Sequence, residues 1–338
     1  MLIKECGPNR LIVAAHWASD PRHMNQTGVR APETIFSTFT IGICATGVSS
    51  RIAELLDTIE TERFPDGFHL SRIIIVASAC TDRTLVYLRR VKKTDPRIVL
   101  VEEKERRGKA EAVNRIMTEA SGEFLVFVNA DALPERGAIP RLLRAIKRDP
   151  TTGIISGNPV INAGDGVASR VLELMWETHN SCSADLDETL LANHGTDELM
   201  VVRSDALASL PSGIVNDGAY IAGLAHSRGY VVRSLTSASV SVDVPTGPIE
   251  IIRQRRRILY GHLQIWRMVG KAPRTAESLI LISPGLGFSV LVRTIARRPR
   301  LLLALPFAAV SELISLVGAL ADNLSSGQKH AVWKRYGD

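Results

Sequence analysis

The chain has 338 residues, of which 45% are hydrophobic and 22% charged, and its formal net charge is +6. This composition is too apolar for a disordered protein and is sufficient for one large core, or for a domain with an appendage. The four cysteines form no C-x-x-C pair and lack a matching histidine spacing, which argues against a disulfide framework or a zinc site and favours a reducing compartment. No export is expected, because the apolar stretch Leu11–Ala15 is too short for a secretory signal.

The positive charge is concentrated near the C-terminus. Residues 251–338 hold 14 Lys and Arg against 4 Asp and Glu, whereas the rest of the chain holds 27 against 31. These basic residues flank long apolar runs with few aromatic residues among them, so membrane lipid with anionic headgroups is the expected partner, rather than nucleic acid. A solvated surface without a partner is the alternative.

From Phe39 onward, short β-branched runs alternate with segments of helical period, which predicts an α/β fold with a mostly parallel sheet flanked by helices. The predicted strands are residues 40–44, 73–76, 98–101, 124–128, 153–156 and 199–203. A helix capped by Ser49 or Ser50 is predicted to follow the first strand. Ligands of open α/β sheets gather at the carboxyl ends of the strands, so the binding site is expected at residues 44–47, 77–81 and 129–131.

Asn129-Ala130-Asp131 ends a buried strand, and Leu133-Pro134 then reverses the chain. The Asp131 carboxylate is therefore expected to project from the sheet edge. A hard carboxylate oxygen at this position suits Mg²⁺ or Mn²⁺ bridging a diphosphate. The alternative is an aspartate that only caps the next turn.

Four further motifs accompany this one. Residues 107–114 start a helix with a glycine and a lysine, where backbone N–H groups and positive charge can meet phosphate oxygens. Residues 76–84 end a strand in small side chains, which lets a base or ribose approach the backbone. Asn216-Asp217-Gly218 precedes a helix rich in alanine and glycine, and Gln254 and Arg257 share one face of a later helix.

In this order the five motifs resemble the family 2 inverting glycosyltransferases of the GT-A fold, and the resemblance covers roughly residues 38–270. It implies a nucleotide-diphosphate sugar donor, with UDP as the expected nucleotide, and a hydroxyl acceptor that is lipid-linked or a growing glycan. It also implies Mg²⁺ or Mn²⁺ at Asp131. Asp217 matches the general base, which takes the acceptor proton as the hydroxyl attacks the anomeric carbon opposite the diphosphate.

The resemblance implies roles for further residues. Donor and nucleotide contacts are expected at Cys44, Ala45, Ala77, Ser78, Ala79, Lys109 and Asn129. Asn114 either lines the donor site or packs its helix. Gln254 and Arg257 match the Q-x-x-R-W motif, which lies near the acceptor and the leaving diphosphate. His194, in a loop before a predicted strand, either contacts substrate or is ordinary polar surface. For Asp217 the alternative is a helix N-cap.

Three features depart from the family pattern. The first residue of D-x-D is Asn129, the acidic pair expected at the ribose side is replaced by Ala77 and Ser78, and the tryptophan of Q-x-x-R-W is Ile258. The lost aromatic platform weakens the case for a processive polysaccharide synthase.

Two alternative functions are left open. The first is a sugar-nucleotide nucleotidyltransferase, although the loop after the first strand lacks the basic residues expected of one. The second is a non-catalytic membrane protein whose glycosyltransferase domain has decayed, which Asn129 suggests.

Two apolar stretches follow the basic cluster near the C-terminus. Leu279–Val292 contains Pro284, and Leu301–Ala321 is long enough to span a bilayer with Glu312 as its one charge. Four arginines lie between the stretches, and two crossings would place them on the far side, against the positive-inside tendency. The favoured prediction is therefore an interfacial or re-entrant hairpin at the cytoplasmic face of the cell membrane. A buried amphipathic pair that serves a dimer is the soluble alternative.

These observations predict four segments. They are an N-terminal extension at residues 1–37, a GT-A domain at 38–250, a basic Q-x-x-R helix region at 251–275 and a membrane-associated segment at 276–338.

Overall fold

The computed structural model describes residues 36–46, 51–80, 82–161, 164, 166–325 and 330–332. They fall within one unit, Phe36–Asp338. Residues 1–35 of the predicted N-terminal extension lie outside the described residues, as do the predicted helix caps Ser49 and Ser50.

Strands and helices alternate through the first two thirds of the chain, and helices follow alone. The strands are β1 (Ser37–Thr46), β2 (Phe68–Ser78), β3 (Ile98–Glu103), β4 (Phe124–Asn129), β5 (Ala132–Pro134), β6 (Thr152–Ile161), β7 (Leu199–Arg203) and β8 (Val231–Val242). The helices are α1 (Arg51–Thr61), α2 (Asp82–Thr94), α3 (Lys109–Glu119), α4 (Ala138–Arg148), α5 (Val167–Glu188), α6 (Asp217–Ser227), α7 (Pro248–Val269), α8 (Ala276–Ile282), α9 (Pro284–Arg297) and α10 (Leu305–Leu324). Short 3₁₀ helices occupy Ser204–Ala206 and Pro299–Ala304.

The described strands form one mixed sheet in the order β3-β2-β1-β4-β7-β6-β8-β5. The pairings β1 with β2, β1 with β4, β2 with β3 and β6 with β8 are parallel. The remaining three are antiparallel, and each involves β5 or β7. The α/β GT-A fold expected from the sequence is confirmed. The reversed insertion of β7 between β4 and β6 is the feature that local periodicity did not reveal.

Both faces of the sheet are covered by helices. The buried apolar residues of α1 and α4 lie on one face of the sheet, and those of α3 and α6 lie on the other face. A Cβ atom at Gly42 in β1 would lie 2.4 Å from Ile116 Cγ2 of α3. Glycine is therefore needed at this point of the strand because the helix packs directly against the backbone.

The first apolar stretch of the C-terminal segment is broken into two helices. α8 ends at Ile282 and α9 starts at Pro284, a residue that cannot continue the hydrogen bonding of the preceding helix. The two helices then pack closely, because a Cβ at Gly287 would lie 2.6 Å from the backbone nitrogen of Ile280. The stretch forms a hairpin rather than one span.

α10 packs along α7 through its small and polar residues. Ser315, Ala319 and Asp322 are buried against α7, whereas Ala308 is buried with Val171 and Leu174 of α5. Arg256 of α7 donates to the Asp322 carboxylate at 2.6 and 2.7 Å. Within the described part of the chain, one helical stretch, Pro299–Leu324, is long and apolar enough to cross a bilayer.

The arginines between the apolar stretches contact acidic side chains of α5. Arg293 pairs with Asp185, and Arg298 and Arg300 both pair with Glu173, at 2.7 and 2.5 Å. Three of the four arginines predicted to lie at lipid headgroups are therefore paired with the protein's own carboxylates, which ties the C-terminal segment to α5, while their side chains remain 43–67% exposed.

Candidate active site

A cavity of about 590 Å³ lies at the carboxyl ends of β1, β2 and β4, between α3, α5, α6 and α7. Ten of the twelve predicted site residues line it, namely Cys44, Ala45, Ser78, Lys109, Asn129, Asp131, His194, Asp217, Gln254 and Arg257. Its volume lies in the range typical of small-molecule sites. The cavity therefore opens at the edge of the sheet where the sequence predicted ligand binding.

Ala77 and Ala79 are the two predicted site residues that lie outside the cavity wall. Ala77 is 1% exposed and packs in the core. Ala79 has a φ of 47° and donates its N–H to the Glu103 carbonyl at 2.9 Å. Ser78 lies between them and donates its hydroxyl to Glu103 Oε2 at 2.5 Å. Of the three small residues expected to contact the nucleotide at this strand end, Ser78 alone lines the cavity.

Asp217 is the first residue of α6 and is 2% exposed. Its neighbour Asn216 caps the helix, because the Asn216 side-chain oxygen accepts the N–H of Ala219 at 3.2 Å. The alternative interpretation of Asp217 as the N-cap is therefore wrong. The Asp217 carboxylate is left available to the cavity, and the helix N-terminus stabilises its negative charge.

Lys109 brings two carboxylates together. It begins α3 directly after Gly108, whose φ of 98° is a conformation that favours glycine. Lys109 Nζ contacts Asp197 and lies 3.4 Å from Asp217 Oδ2. Asp197 comes from the loop before β7, and a Cβ at Gly218 would lie 2.7 Å from Asp197 Cβ, so this loop packs tightly on α6.

Burial and the charge of Lys109 determine the protonation states of Asp197 and Asp217. Burial raises the pKa of Asp217 to about 6, while the charge of Lys109 opposes that rise. Burial also disfavours ionised Asp197, but the charge and hydrogen bond of Lys109 lower the pKa of Asp197 below its ordinary value. For Lys109, the two carboxylates outweigh burial and raise the pKa. Near neutral pH the group therefore holds one cation between two carboxylates.

Asp131 and Glu198 contribute further carboxyl groups at the cavity. Asp131 lies in the turn after β4 and is open to the cavity, yet the surrounding walls remove part of its hydration and raise its pKa. Burial, followed by the charge of Asp197, raises the pKa of Glu198 to about 8. Among the described residues, no three His, Cys, Asp or Glu side chains form a complete metal site. A divalent cation here would need phosphate oxygens to complete its shell, as Mg²⁺ commonly does.

Aromatic rings form the wall of the cavity near His194. The ring centroids of His179 and His262 lie 5.5 and 5.3 Å from that of His194, and Trp176 lies 5.6 Å from His179. Burial lowers the pKa of all three histidines, that of His262 to about 4. The rings are therefore neutral near pH 7. Sequence reasoning missed His179, His262 and Trp176, because they lie on α5 and α7 outside any motif.

α7 holds the loop that precedes Asp217. Arg257 donates to the Val215 carbonyl at 3.3 Å, and the Gln264 side chain accepts the Val215 N–H at 3.0 Å. Asn114, which was expected either to line the donor site or to pack its helix, exchanges two hydrogen bonds with the backbone of Leu210, at 2.9 and 2.8 Å. Asn114 is therefore a packing residue, and a donor contact is not its role.

Comparisons with known proteins agree on the family and the fold. The sequence model of glycosyl transferase family 2 matches residues 40–208. The chain is similar to poly-beta-1,6-N-acetyl-D-glucosamine synthase from Staphylococcus aureus, with 24% identity over 115 residues, or 34% of this chain and 28% of the relative. The Staphylococcus epidermidis enzyme of the same name is 23% identical over 134 residues, or 40% of this chain and 31% of the relative. These matches span less than a third of the length of the curated relatives.

Among solved structures, mannosyltransferase PcManGT from Pyrobaculum calidifontis, in complex with GDP-Man and Mn²⁺, superposes with a TM-score of 0.59. It is 24% identical, and the alignment covers 87% of this chain and 89% of that chain. This likeness extends over nearly the whole chain and confirms the fold.

Proposed function

The chain belongs to glycosyl transferase family 2 and is a glycosyltransferase, and we propose that it inverts the anomeric centre of a nucleotide-diphosphate sugar, with UDP as the expected nucleotide. The acceptor is a hydroxyl group on a lipid-linked molecule or a growing glycan. The observation that carries this proposal is the buried Asp217 carboxylate, which faces the cavity while Asn216 caps the helix. The family membership removes the nucleotidyltransferase alternative.

The proposed reaction is a single displacement. The Asp217 carboxylate accepts the proton of the acceptor hydroxyl, whose oxygen forms a bond to the anomeric carbon. The bond from that carbon to the diphosphate oxygen breaks on the opposite face, and the electron pair leaves with the nucleoside diphosphate. Lys109, 3.4 Å from Asp217, favours the ionised form that the base requires. We assign the contact with the leaving diphosphate to Arg257, which lines the cavity.

We propose Asp131 as the residue that holds Mg²⁺ or Mn²⁺. When bound, the cation would neutralise the charge that grows on the diphosphate. The oxygen-only donor set of Asp131 and Asn129 fits a hard cation. The solved neighbour PcManGT, which carries Mn²⁺ beside GDP-Man, supports divalent metal use on this fold.

We further propose that the C-terminal segment binds the membrane interface. α10 turns its large apolar side chains outward, the reverse of a helix in a soluble protein. Those at least 45% exposed are Phe307, Val310, Leu313, Ile314, Val317, Leu320 and Leu324. Its 20 residues extend over about 30 Å, and the resulting face exceeds what single exposed apolar residues explain.

The packing of α10 favours an interfacial position over a spanning one. α10 lies along α7, which carries Arg253, Arg255, Arg256 and Arg257, and such a helix does not enter hydrocarbon. Because α7 also lines the cavity, this arrangement brings a lipid-linked acceptor to the cytoplasmic face of the membrane beside the site. The dimer alternative predicts instead that the same face is buried against a second copy.

The experiment that tests the activity is transfer from a panel of UDP- and GDP-sugars in the presence of Mn²⁺. The panel includes UDP-N-acetylglucosamine and GDP-mannose, because the names of the relatives contain N-acetyl-D-glucosamine and the solved neighbour is in complex with GDP-Man. The anomeric configuration of the first product is read by NMR. We expect inversion with a UDP-sugar; a product of retained configuration would overturn the proposed mechanism.

A further inference from the structure

Glu198 lies directly across the sheet from Asn129. β4 and β7 pair antiparallel, with Val128 opposite Leu199, and the next step of this register places Asn129 opposite Glu198. The Asn129 N–H donates to the Glu198 carbonyl at 3.3 Å, which shows that the pairing continues. Residues directly opposite one another in an antiparallel pair direct their side chains to the same face, with Cβ atoms about 5 Å apart.

Both side chains line the cavity, together with Asp131. The Asp131 charge is also among those that act on the Glu198 carboxyl group. The β4–β7 strand ends therefore assemble two carboxyl groups and one amide oxygen at one edge of the sheet. These are the ligand types that hard divalent cations prefer.

One oxygen of the Glu198 carboxyl group is buried without a partner. Within the described residues, Glu198 Oε2 is inaccessible to solvent and has no hydrogen-bond partner. Leaving a buried polar group unsatisfied destabilises the folded protein. The nearby cation Lys109 contacts Asp197 and Asp217 instead. A bound cation would supply the partner that Glu198 lacks.

We propose that Glu198 and Asp131 together hold the divalent cation, so that Glu198 provides from β7 the carboxylate that Asn129 does not provide from β4. This inference rests on the proposed metal use at Asp131. It assigns a ligand that no motif in the sequence indicates, since Glu198 lies in the turn before β7. The cation then has two protein carboxylates, and its remaining positions are left to Asn129, diphosphate oxygens and water.

The test is direct Mn²⁺ binding to the full chain at saturating UDP, measured by the change of the Mn²⁺ electron paramagnetic resonance signal relative to a protein-free sample with the same UDP, and repeated with GDP. The variants are Glu198→Gln, Asp131→Asn and the double variant Glu198→Gln with Asn129→Asp. Glu123→Gln is the matched control, because Glu123 precedes β4 at the opposite end of the same strand pair. Thermal unfolding in EDTA reports whether each variant folds.

We expect Glu198→Gln and Asp131→Asn each to weaken Mn²⁺ binding about tenfold or more, and the control to leave it unchanged. Asn129→Asp should restore binding in the Glu198→Gln background, because it returns a carboxylate to the same edge. Wild-type affinity in a folded Glu198→Gln variant would overturn the inference while leaving metal use at Asp131 intact. Failure of Asn129→Asp to restore binding would also overturn it. A wild-type chain that binds no Mn²⁺ with either nucleotide would overturn the metal proposal itself.

Discussion

Lys109 Nζ lies 3.4 Å from Asp217 Oδ2 and contacts the Asp197 carboxylate as well. The lysine joins the start of α3, the loop before β7 and the start of α6, three elements far apart in sequence. Its charge favours the ionised form of Asp217, whereas burial favours the protonated form. The balance places the pKa of Asp217 at about 6, which suits a base that works near neutral pH.

Replacing Lys109 with methionine should move the pH dependence of transfer. A base must be deprotonated, so wild-type kcat/KM should rise with pH through about 6 and then level off. Removing the positive charge raises the pKa of Asp217, and the midpoint should move to higher pH. The rate should therefore fall more at low pH than at high pH. An unchanged or lower midpoint in the pH profile of Lys109→Met would contradict the role of this charge.

Asn216→Ala should destabilise the protein by about 1 kcal/mol, since it removes the hydrogen bond that caps α6. Urea unfolding measures the free energy. Asn216→Ser is the matched control, because a serine hydroxyl can accept the same N–H, and it should retain most of the stability. Equal losses in the two variants would show that capping is not the function of Asn216.

Protonation of His262 should lower the free energy of unfolding in acid. Its pKa is lowered to about 4 from an ordinary value of 6.5, so the folded protein resists protonation of this ring. The stability that neutral His262 contributes is present above pH 6.5 and is lost as the pH falls toward 4. His262→Asn should therefore reduce the loss of unfolding free energy between these two pH values, by roughly 2 kcal/mol. An identical pH dependence in wild type and variant would show that His262 titrates normally.

The exposed face of α10 should bind anionic vesicles. Leu313→Glu with Val317→Glu places two charges on this face, at side chains 63% and 60% exposed. We expect the double variant to be lost from the floating fraction in vesicle flotation. Val86→Glu is the matched control, because Val86 is 64% exposed on α2, away from this face.

Continued flotation of the double variant would contradict the interfacial assignment of α10. If wild type remains in solution as a dimer and the double variant becomes monomeric, the face is a protein interface instead.

Local patterns were sufficient for six of the eight described strands and for the edge of the sheet that holds the site, whereas β5, β8 and α5 were not predicted. The apolar spacing of α1 and α4 matches their buried faces, and strand ends such as Cys44 and Asn129 line the cavity. These features depend on short-range periodicity and on the general geometry of α/β sheets.

Features that depend on pairing between distant segments could not be predicted from the sequence. The position of β7 beside β4 determines that Glu198 faces Asn129, and no local pattern encodes this register. The Lys109–Asp197 contact and the ring contacts of His179 and His262 likewise join distant segments. Which residue caps α6 was also ambiguous, because Asn216 and Asp217 are both good caps and the backbone conformation decides between them.

The most direct test of the account is transfer by Asp217→Asn. Asparagine keeps the size of the side chain and the hydrogen-bonding geometry but cannot accept the acceptor proton as a carboxylate does. We predict a decrease of about 10²–10⁴-fold in kcat, with UDP affinity within about twofold of wild type, because the donor contacts are untouched. Transfer within a few-fold of wild type would contradict the assignment of Asp217 as the base.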